Sequence, residues 1–102
     1  MEGLGRFAEP SVLILTSLAG GPKHGYALMR DIEELTGAAI GPGTLYAALG
    51  RLEQRALVET LPQQDRRQPY RITAAGASAL RSYLEHAQRV TATGLTRLEA
   101  FA

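Results

Sequence analysis

The sequence predicts a mainly α-helical domain with one small β-hairpin, and three observations support this fold class. Prolines and glycines divide the chain into segments in which apolar residues recur at helical spacing. This periodicity changes from 3.6 to 2 between residues 57 and 72, where two short apolar segments flank a polar one. The 102 residues, of which 45% are hydrophobic and 21% charged, are typical of one globular domain and argue against disorder.

The first predicted helix begins at residues 9–11 (EPS), because proline suits the first helical position, and continues to about Ala19. The segment 12–15 (VLIL) and Leu18 make it apolar on several sides, so more than one neighbouring element must cover it. The segment 20–22 (GGP) ends this helix.

The second predicted helix runs from about Gly25 to Thr36, and Gly37 is its expected C-terminal stop. Its apolar face contains Leu28, Ile32 and Leu35.

The third predicted helix begins at Pro42 and runs to about Arg55. Leu45, Leu49 and Leu52 form its apolar face. The other face presents small or polar side chains, namely Thr44, Ala47, Ala48, Arg51 and Arg55.

Two strands, Leu57 to Leu61 and Tyr70 to Ile72, follow with alternating polarity. The polar segment 62–69 (PQQDRRQP) between them predicts a hairpin with a basic tip at Arg66 and Arg67. Thr73 is a plausible N-cap for a long last helix, in which Leu80, Leu84, Ala87, Thr91 and Leu98 share one stripe. Because residues 91–94 (TATG) are weak helix formers, we expect a bend or an end near Gly94.

The charge distribution and the residue types present reduce the number of possible functions. Residues 42–73 contain five arginines against three carboxylates, whereas residues 1–41 have a net charge of −2, which hints at an anionic partner for the middle of the chain. The absence of cysteine excludes disulfide scaffolds, iron–sulfur sites and zinc fingers, and His24 and His86 alone make a poor metal site. We therefore expect no cofactor.

An enzyme is also not expected. The glycine-rich segment 41–44 (GPGT) lacks the lysine and the preceding strand of a nucleotide-binding loop, and no catalytic set of side chains emerges. The longest apolar run, residues 12–15, is too short for a membrane span, and no targeting segment opens the chain, so we expect a cytoplasmic protein.

Two helices joined by a short glycine-containing turn and followed by a basic hairpin predict a winged helix-turn-helix. In this arrangement one helix enters the DNA major groove while the helix before it crosses the backbone. The third helix suits the groove, because it is apolar behind and slim in front. The arginines of the hairpin can reach flanking phosphates or the minor groove.

Three segments in this order resemble the PadR family of bacterial transcriptional regulators: residues 23–26 (KHGY), residues 41–59 from GPGTLY to LVE, and residues 65–76 from DRR through PYRIT to Gly76. The resemblance covers about Leu13 to Leu84. It implies a homodimeric DNA-binding regulator, usually a repressor, that a small effector or another signal releases from its operator. It also implies that the last helix, together with the first, forms the dimer interface.

The candidate DNA contacts are assigned from the places that the residues occupy in the motifs that resemble the family. They are Thr44, Tyr46, Ala47 and Arg51 on the third helix, Arg66 and Arg67 on the hairpin, and His24 at the start of the second helix. All of them except Ala47 have an ordinary structural alternative: Thr44 as a cap, Tyr46 beside the core, Arg51 in a surface ion pair, the hairpin arginines as a solvated turn and His24 as a surface histidine. We expect Tyr26 and Tyr70 in the core and Gly76 at a close packing contact.

The resemblance divides the chain into a DNA-binding part, residues 1–73 with a wing at about 57–72, and a dimerisation helix, residues 74–102. The candidate dimer contacts are Leu13, Leu80, Tyr83, Leu84, Ala87, Val90 and Leu98. A small-molecule effector would bind at the dimer interface or between the helices. The rival hypothesis is a winged helix that binds a protein partner and not DNA, motivated by the net charge of +1 and the alanine-rich front of the third helix.

Overall fold

The computed structural model describes residues 9–101 and contains four helices and a small antiparallel sheet in that range. The elements in chain order are α1 (Glu9–Ala19), β1 (Lys23–His24), α2 (Gly25–Thr36), α3 (Pro42–Gln54), β2 (Val58–Thr60), β3 (Pro69–Ile72) and α4 (Ala74–Ala100). The mainly α-helical class with one hairpin is confirmed, as is the winged helix-turn-helix order of α2, α3 and the β2–β3 hairpin, called the wing below.

The sheet has one strand more than the sequence predicts. β1 pairs antiparallel with β3, with Lys23 opposite Tyr70 and His24 opposite Pro69, so the strand order is β1-β3-β2. β1 is two residues long, too short for an alternating pattern, and it is held by a partner more than 40 residues away in sequence. As a result, the start of α2 lies beside the wing.

The core confirms that α1 must be covered on several sides. Ile14, Leu15 and Leu18 are buried, and α1 contacts α2, α3 and α4. The hydroxyl of Ser17 donates to the Asp31 carboxylate over 2.5 Å, which ties α1 to α2 and satisfies a buried hydroxyl. The rest of the buried core is formed by Leu28, Ile32, Leu45, Ala48, Leu49, Leu52, Val58, Tyr70 and Leu80.

Three sequence expectations about the burial of single residues are wrong. Ala48, expected on the outer face of α3, is fully buried. Leu35, on the apolar stripe of α2, is exposed, because it lies in the last turn of that helix beyond the core. Tyr26, expected in the core, is 62% exposed, and its ring centroid lies 5.9 Å from the guanidinium carbon of Arg30.

α4 continues through Gly94 to Ala100, so of the two alternatives, a bend or an end near Gly94, the end is wrong. A glycine inside a helix costs about 1 kcal/mol relative to alanine, which a helix of this length can tolerate. Thr73 is confirmed as its N-cap, since its side-chain oxygen accepts from the backbone N–H of Gly76 over 3.0 Å. The buried residues of α4 are Gly76 and Leu80, in its first two turns, so its later turns extend away from the domain. Within residues 9–101 no helix is both long and apolar enough to span a membrane.

The end of α3 is a Schellman motif with an unusual residue. The N–H of Leu57 donates to the carbonyl of Leu52 and the N–H of Ala56 to that of Glu53, both over 2.9 Å. This places Ala56 in the left-handed region, with φ of 59°, where glycine is the usual residue.

We therefore expect Ala56→Gly to raise the free energy of unfolding by about 0.5–1 kcal/mol, because relief of the left-handed strain exceeds the added chain entropy. Urea denaturation measures this difference. The matched control is Ala47→Gly, in the exposed interior of α3, which we expect to lower stability by about 1 kcal/mol. If both variants were destabilised equally, Ala56 would not be strained.

Candidate nucleic-acid interface

The outward face of α3 is slim. Gly43, Ala47 and Gly50 lie on the side opposite the buried leucines, and nothing lies within 4 Å of a Cβ placed on either glycine. Side chains this small allow another surface to approach the helix closely. A helix that presents small residues outward from a firmly packed base has the shape that the DNA major groove admits.

The predicted contact residues lie on two flanks of this face. Thr44 and Arg51, seven residues apart, share the flank near α1, where Thr44 lies close to Pro10 and Arg51 close to Val12. Tyr46 lies on the opposite flank, toward the wing. Within the described residues Arg51 makes no ion pair with a carboxylate, so the surface-pair alternative for Arg51 finds no support in residues 9–101.

The wing ends in a tight two-residue turn. Gln64 and Arg67 exchange backbone hydrogen bonds of 3.0 and 2.8 Å, and Asp65 and Arg66 between them have φ of 49° and 66°. Two left-handed residues in succession define a type I′ turn, which normally contains Asn-Gly or Asp-Gly. A non-glycine residue in this region costs about 1–2 kcal/mol, so the turn holds Arg66 at the tip at some expense in stability.

The base of the wing is braced separately from its tip. Arg71 on β3 makes a two-point contact with the carboxylate of Glu59 on β2, over 2.7 and 3.0 Å. The side-chain amide of Gln68 donates to the carbonyls of Leu61 and Pro69. In the described chain neither Arg66 nor Arg67 contacts a carboxylate, so the charge of the tip is available to an anionic partner.

β1, α2, α3 and the wing meet at one recess of about 350 Å³, called the junction recess, which is lined by His24, Gly25, Tyr26, Tyr46, Arg66, Arg67, Gln68 and Tyr70. The hydroxyl of Tyr46 packs directly over Gly25, where it leaves no room for a Cβ. The guanidinium of Arg67 lies 3.2 Å from Nε2 of His24. Four of the predicted contact residues, His24, Tyr46, Arg66 and Arg67, are therefore brought together here.

Tyr70 forms the buried floor of the junction recess, and its expected place in the core is confirmed. Burial raises the pKa of its hydroxyl above the ordinary value of 10.0, and the nearby Tyr46 and Glu53 raise it further. Tyr70 is therefore neutral at physiological pH, and the positive charge of the recess comes from the wing arginines.

The predicted dimer contacts fall into three groups by burial. Tyr83, Leu84, Val90 and Leu98 are exposed on α4, as a contact surface requires. Leu80 is 6% exposed and packs in the core of its own domain, so little of its side chain is available to a second copy. Leu13 and Ala87 are half-buried, and Leu13 packs against the core.

Sequence reasoning missed two exposed apolar residues, Leu95 and Phe101. The stripe that the sequence predicts extends beyond Gly94 only to Leu98 and includes neither of them. The apolar spacing of Leu98 and Phe101, continued from Leu84 and Ala87, is the signal that predicts an unbroken helix.

Comparison with known proteins agrees with this geometry. Residues 14–82 match the family model described as the transcriptional regulator PadR-like family. The chain belongs to this family. The resemblance based on the motifs is thereby confirmed, and the family that the model describes is one of transcriptional regulators.

Relatives of this PadR-like chain include longer proteins. A 37.1 kDa transposon protein of Streptomyces fradiae is 44% identical over 75 residues, which are 74% of this chain and 22% of that protein. The transcriptional activator GvpE2 of Halobacterium salinarum is 30% identical over 93 residues, 91% of this chain and 45% of that protein. The chain thus spans less than half the length of these two relatives. A solved transcriptional regulator from Clostridium thermocellum matches with a TM-score of 0.82 at 25% identity, over 95% of this chain and 96% of that one.

Proposed function

We propose that this chain binds double-stranded DNA in a sequence-specific manner, as a homodimer on an inverted-repeat operator, and that it represses transcription. The observation that supports this most is the junction recess, in which Tyr46, on the flank of the slim face of α3, lies beside Arg66 and Arg67 of the wing. In this arrangement α3 reads base edges in the major groove, and Arg66 and Arg67 contact the flanking phosphates.

The two flanks of α3 are assigned different DNA contacts. Arg51 and Thr44 reach base edges or phosphates on the side of α1, and Tyr46 contacts the backbone on the side of the wing. Residues 1–73 form the DNA-binding part and residues 74–102 the dimerisation part of the proposed regulator.

The dimer is supported by the exposed apolar residues of α4. Tyr83, Leu84, Val90, Leu98 and Phe101 lie along a helix that extends beyond its own domain. Such a face is stable in water when a second copy covers it, and a two-fold dimer matches an inverted repeat.

An effector site beside this interface is part of the proposal. A cavity of about 420 Å³ is lined by Leu80, Arg81, Leu84 and Gln88 of α4 together with Ala19 and Ile72. A small molecule bound there would contact α4 between the core and the dimer surface, and it could change the separation of the two DNA-binding parts.

The first experiment is a fluorescence-anisotropy titration of the full chain against its own upstream promoter duplex and a scrambled duplex, at about 50 and about 200 mM salt. We expect tight, salt-sensitive binding that favours the promoter. Weak and equal binding to both duplexes would favour the rival protein-interaction module. A promoter–reporter fusion then measures the sign of the effect, and lower expression in the presence of the protein supports repression.

A further inference from the structure

His24 lies where two hydrogen-bond donors face one imidazole ring. The backbone N–H of Ala27 points at Nδ1 over 3.4 Å, which is the N-cap contact of α2. Nη1 of Arg67 lies 3.2 Å from Nε2, on the other side of the ring. A neutral imidazole has one N–H and one acceptor nitrogen, whereas an amide N–H and a guanidinium can only donate. The ring therefore satisfies one of the two donors at a time.

In the free protein, each tautomer of the His24 ring leaves one of these two hydrogen bonds unmade. When Nδ1 accepts from Ala27, the hydrogen on Nε2 points at the guanidinium. When Nε2 accepts from Arg67, α2 is left without its cap. The doubly protonated ring has no acceptor at all, so it leaves both contacts unmade.

An anionic oxygen between the ring and the guanidinium removes this conflict. It accepts from Nε2–H of His24 and from Arg67 together, while Nδ1 remains free to cap α2. The junction recess has room for such a group, and Tyr46, Arg66 and Gln68 line it as well. A negative oxygen at this position also attracts a second proton to His24. Protonation costs one hydrogen bond in each state: the cap of α2 or the Arg67 contact in the free protein, and the cap in the bound protein. The attraction between the phosphate and the charged ring therefore decides the difference.

We propose that His24 and Arg67 together bind a backbone phosphate of DNA and that His24 takes up a proton as the phosphate binds. This inference rests on the proposed DNA-binding function. The groups that face His24 are Arg66 and Arg67 from the wing, Tyr46 from α3, Tyr70 from β3 and Tyr26 from α2. The adjacent Lys23 points its ammonium group toward the carbonyl of Ser17. The charged members of this set are cationic, so they attract a phosphate to the recess.

The sign of the pH dependence follows. Because the bound state favours the protonated ring more than the free state does, DNA affinity rises as the pH falls through the range from about 8 to about 5, in which histidine changes charge. One proton taken up per protomer gives a rise of at most about tenfold per pH unit at each binding site.

The test is an anisotropy titration of the promoter duplex from about pH 8 to about pH 6, at constant ionic strength. We expect the affinity of the parent protein to rise toward low pH and that of His24→Gln to stay flat, because glutamine hydrogen-bonds without taking up a proton. His86→Gln is the matched control, since His86 is exposed on α4 away from the recess, and it should keep the parent profile. A flat parent profile, or a parent-like slope in His24→Gln, overturns the inference.

Two further measurements complete the design. Arg67→Gln removes one of the two donors to the proposed phosphate, so it should weaken DNA binding at each pH, and an unchanged affinity contradicts the proposal even if His24→Gln is unstable. A titration with inorganic phosphate alone, monitored through the NMR signals of the His24 ring, distinguishes a free anion from DNA as the ligand. If the ring responds to phosphate but DNA binding does not depend on pH, the DNA assignment is contradicted. If DNA binding is tight and salt-sensitive but independent of pH, the proton uptake is wrong and the proposed DNA-binding function stands. If the protein does not bind DNA at any pH, both the proton uptake and the proposed function are wrong.

Discussion

Arg66→Ala combined with Arg67→Ala is expected to weaken operator binding about 10²- to 10⁴-fold at moderate salt, because each of the two charge-assisted contacts to a phosphate contributes about 1.5–3 kcal/mol. The tip of the wing is free of carboxylate partners in the described chain, so its arginines are available to DNA. The weakening should be similar for operator and scrambled duplexes, since phosphate contacts position the protein without reading sequence.

The salt dependence is the sharper readout. The slope of log K against log salt should flatten by about 0.9 for each phosphate that the variant no longer neutralises, and anisotropy titrations at several salt concentrations measure it. Arg89→Ala combined with Arg97→Ala removes the same charge from exposed positions on α4 and serves as the control. If both double variants showed the same change, net charge and not the wing would determine the affinity. If the wing variant kept the parent slope, the wing assignment would be wrong.

Arg51→Ala is expected to behave differently from the wing variant. It lies on the DNA-facing helix, so it should reduce discrimination between particular bases by about 1–3 kcal/mol per base pair read, while the salt slope changes little. Titration of operator duplexes with single base-pair changes measures this. Uniform weakening on all duplexes would assign Arg51 to a phosphate instead.

Local chemistry explains why the helices could be predicted from the sequence. Gly37 at a φ of 75° ends α2 and Pro42 begins α3 at the expected residues. Both are positions at which one residue type is favoured by backbone geometry alone. The core leucines of α3 follow the helical period because one side of that helix is buried.

The features that could not be predicted depend on contacts distant in sequence. β1 exists because β3 pairs with it, and the contact of His24 with Arg67 joins residues 43 positions apart. The junction recess therefore emerges only when the wing folds back beside α2. Tyr26 illustrates the opposite error, since an aromatic residue in the first turn of an amphipathic helix suggests a core position although its ring packs against Arg30 at the surface.

Gly76→Ala is expected to lower the free energy of unfolding by about 1–3 kcal/mol, although alanine is the better helix former. A Cβ at this position would overlap the carbonyl oxygen of Leu57 and lie 2.9 Å from Cγ1 of Ile72. The carbonyl is backbone and cannot move aside alone, because it accepts a hydrogen bond from the N–H of Thr73 over 3.1 Å. The hydroxyl of Thr73 also donates to the carbonyl of Ala56 over 2.7 Å, so the whole junction between α4 and the end of α3 would shift.

Urea denaturation of Gly76→Ala beside Gly50→Ala separates close packing from helix propensity. Gly50 lies in the interior of α3 with open space around it, so the same substitution there should raise stability by up to about 1 kcal/mol. A Gly76→Ala variant as stable as the parent would mean that α4 does not rest on the Leu57 carbonyl. The expected destabilisation has a functional consequence, because this junction fixes the direction in which α4 leaves the wing. In the proposed dimer that direction sets the separation of the two recognition helices, so Gly76→Ala should also weaken binding to an inverted repeat more than binding to a single half-site.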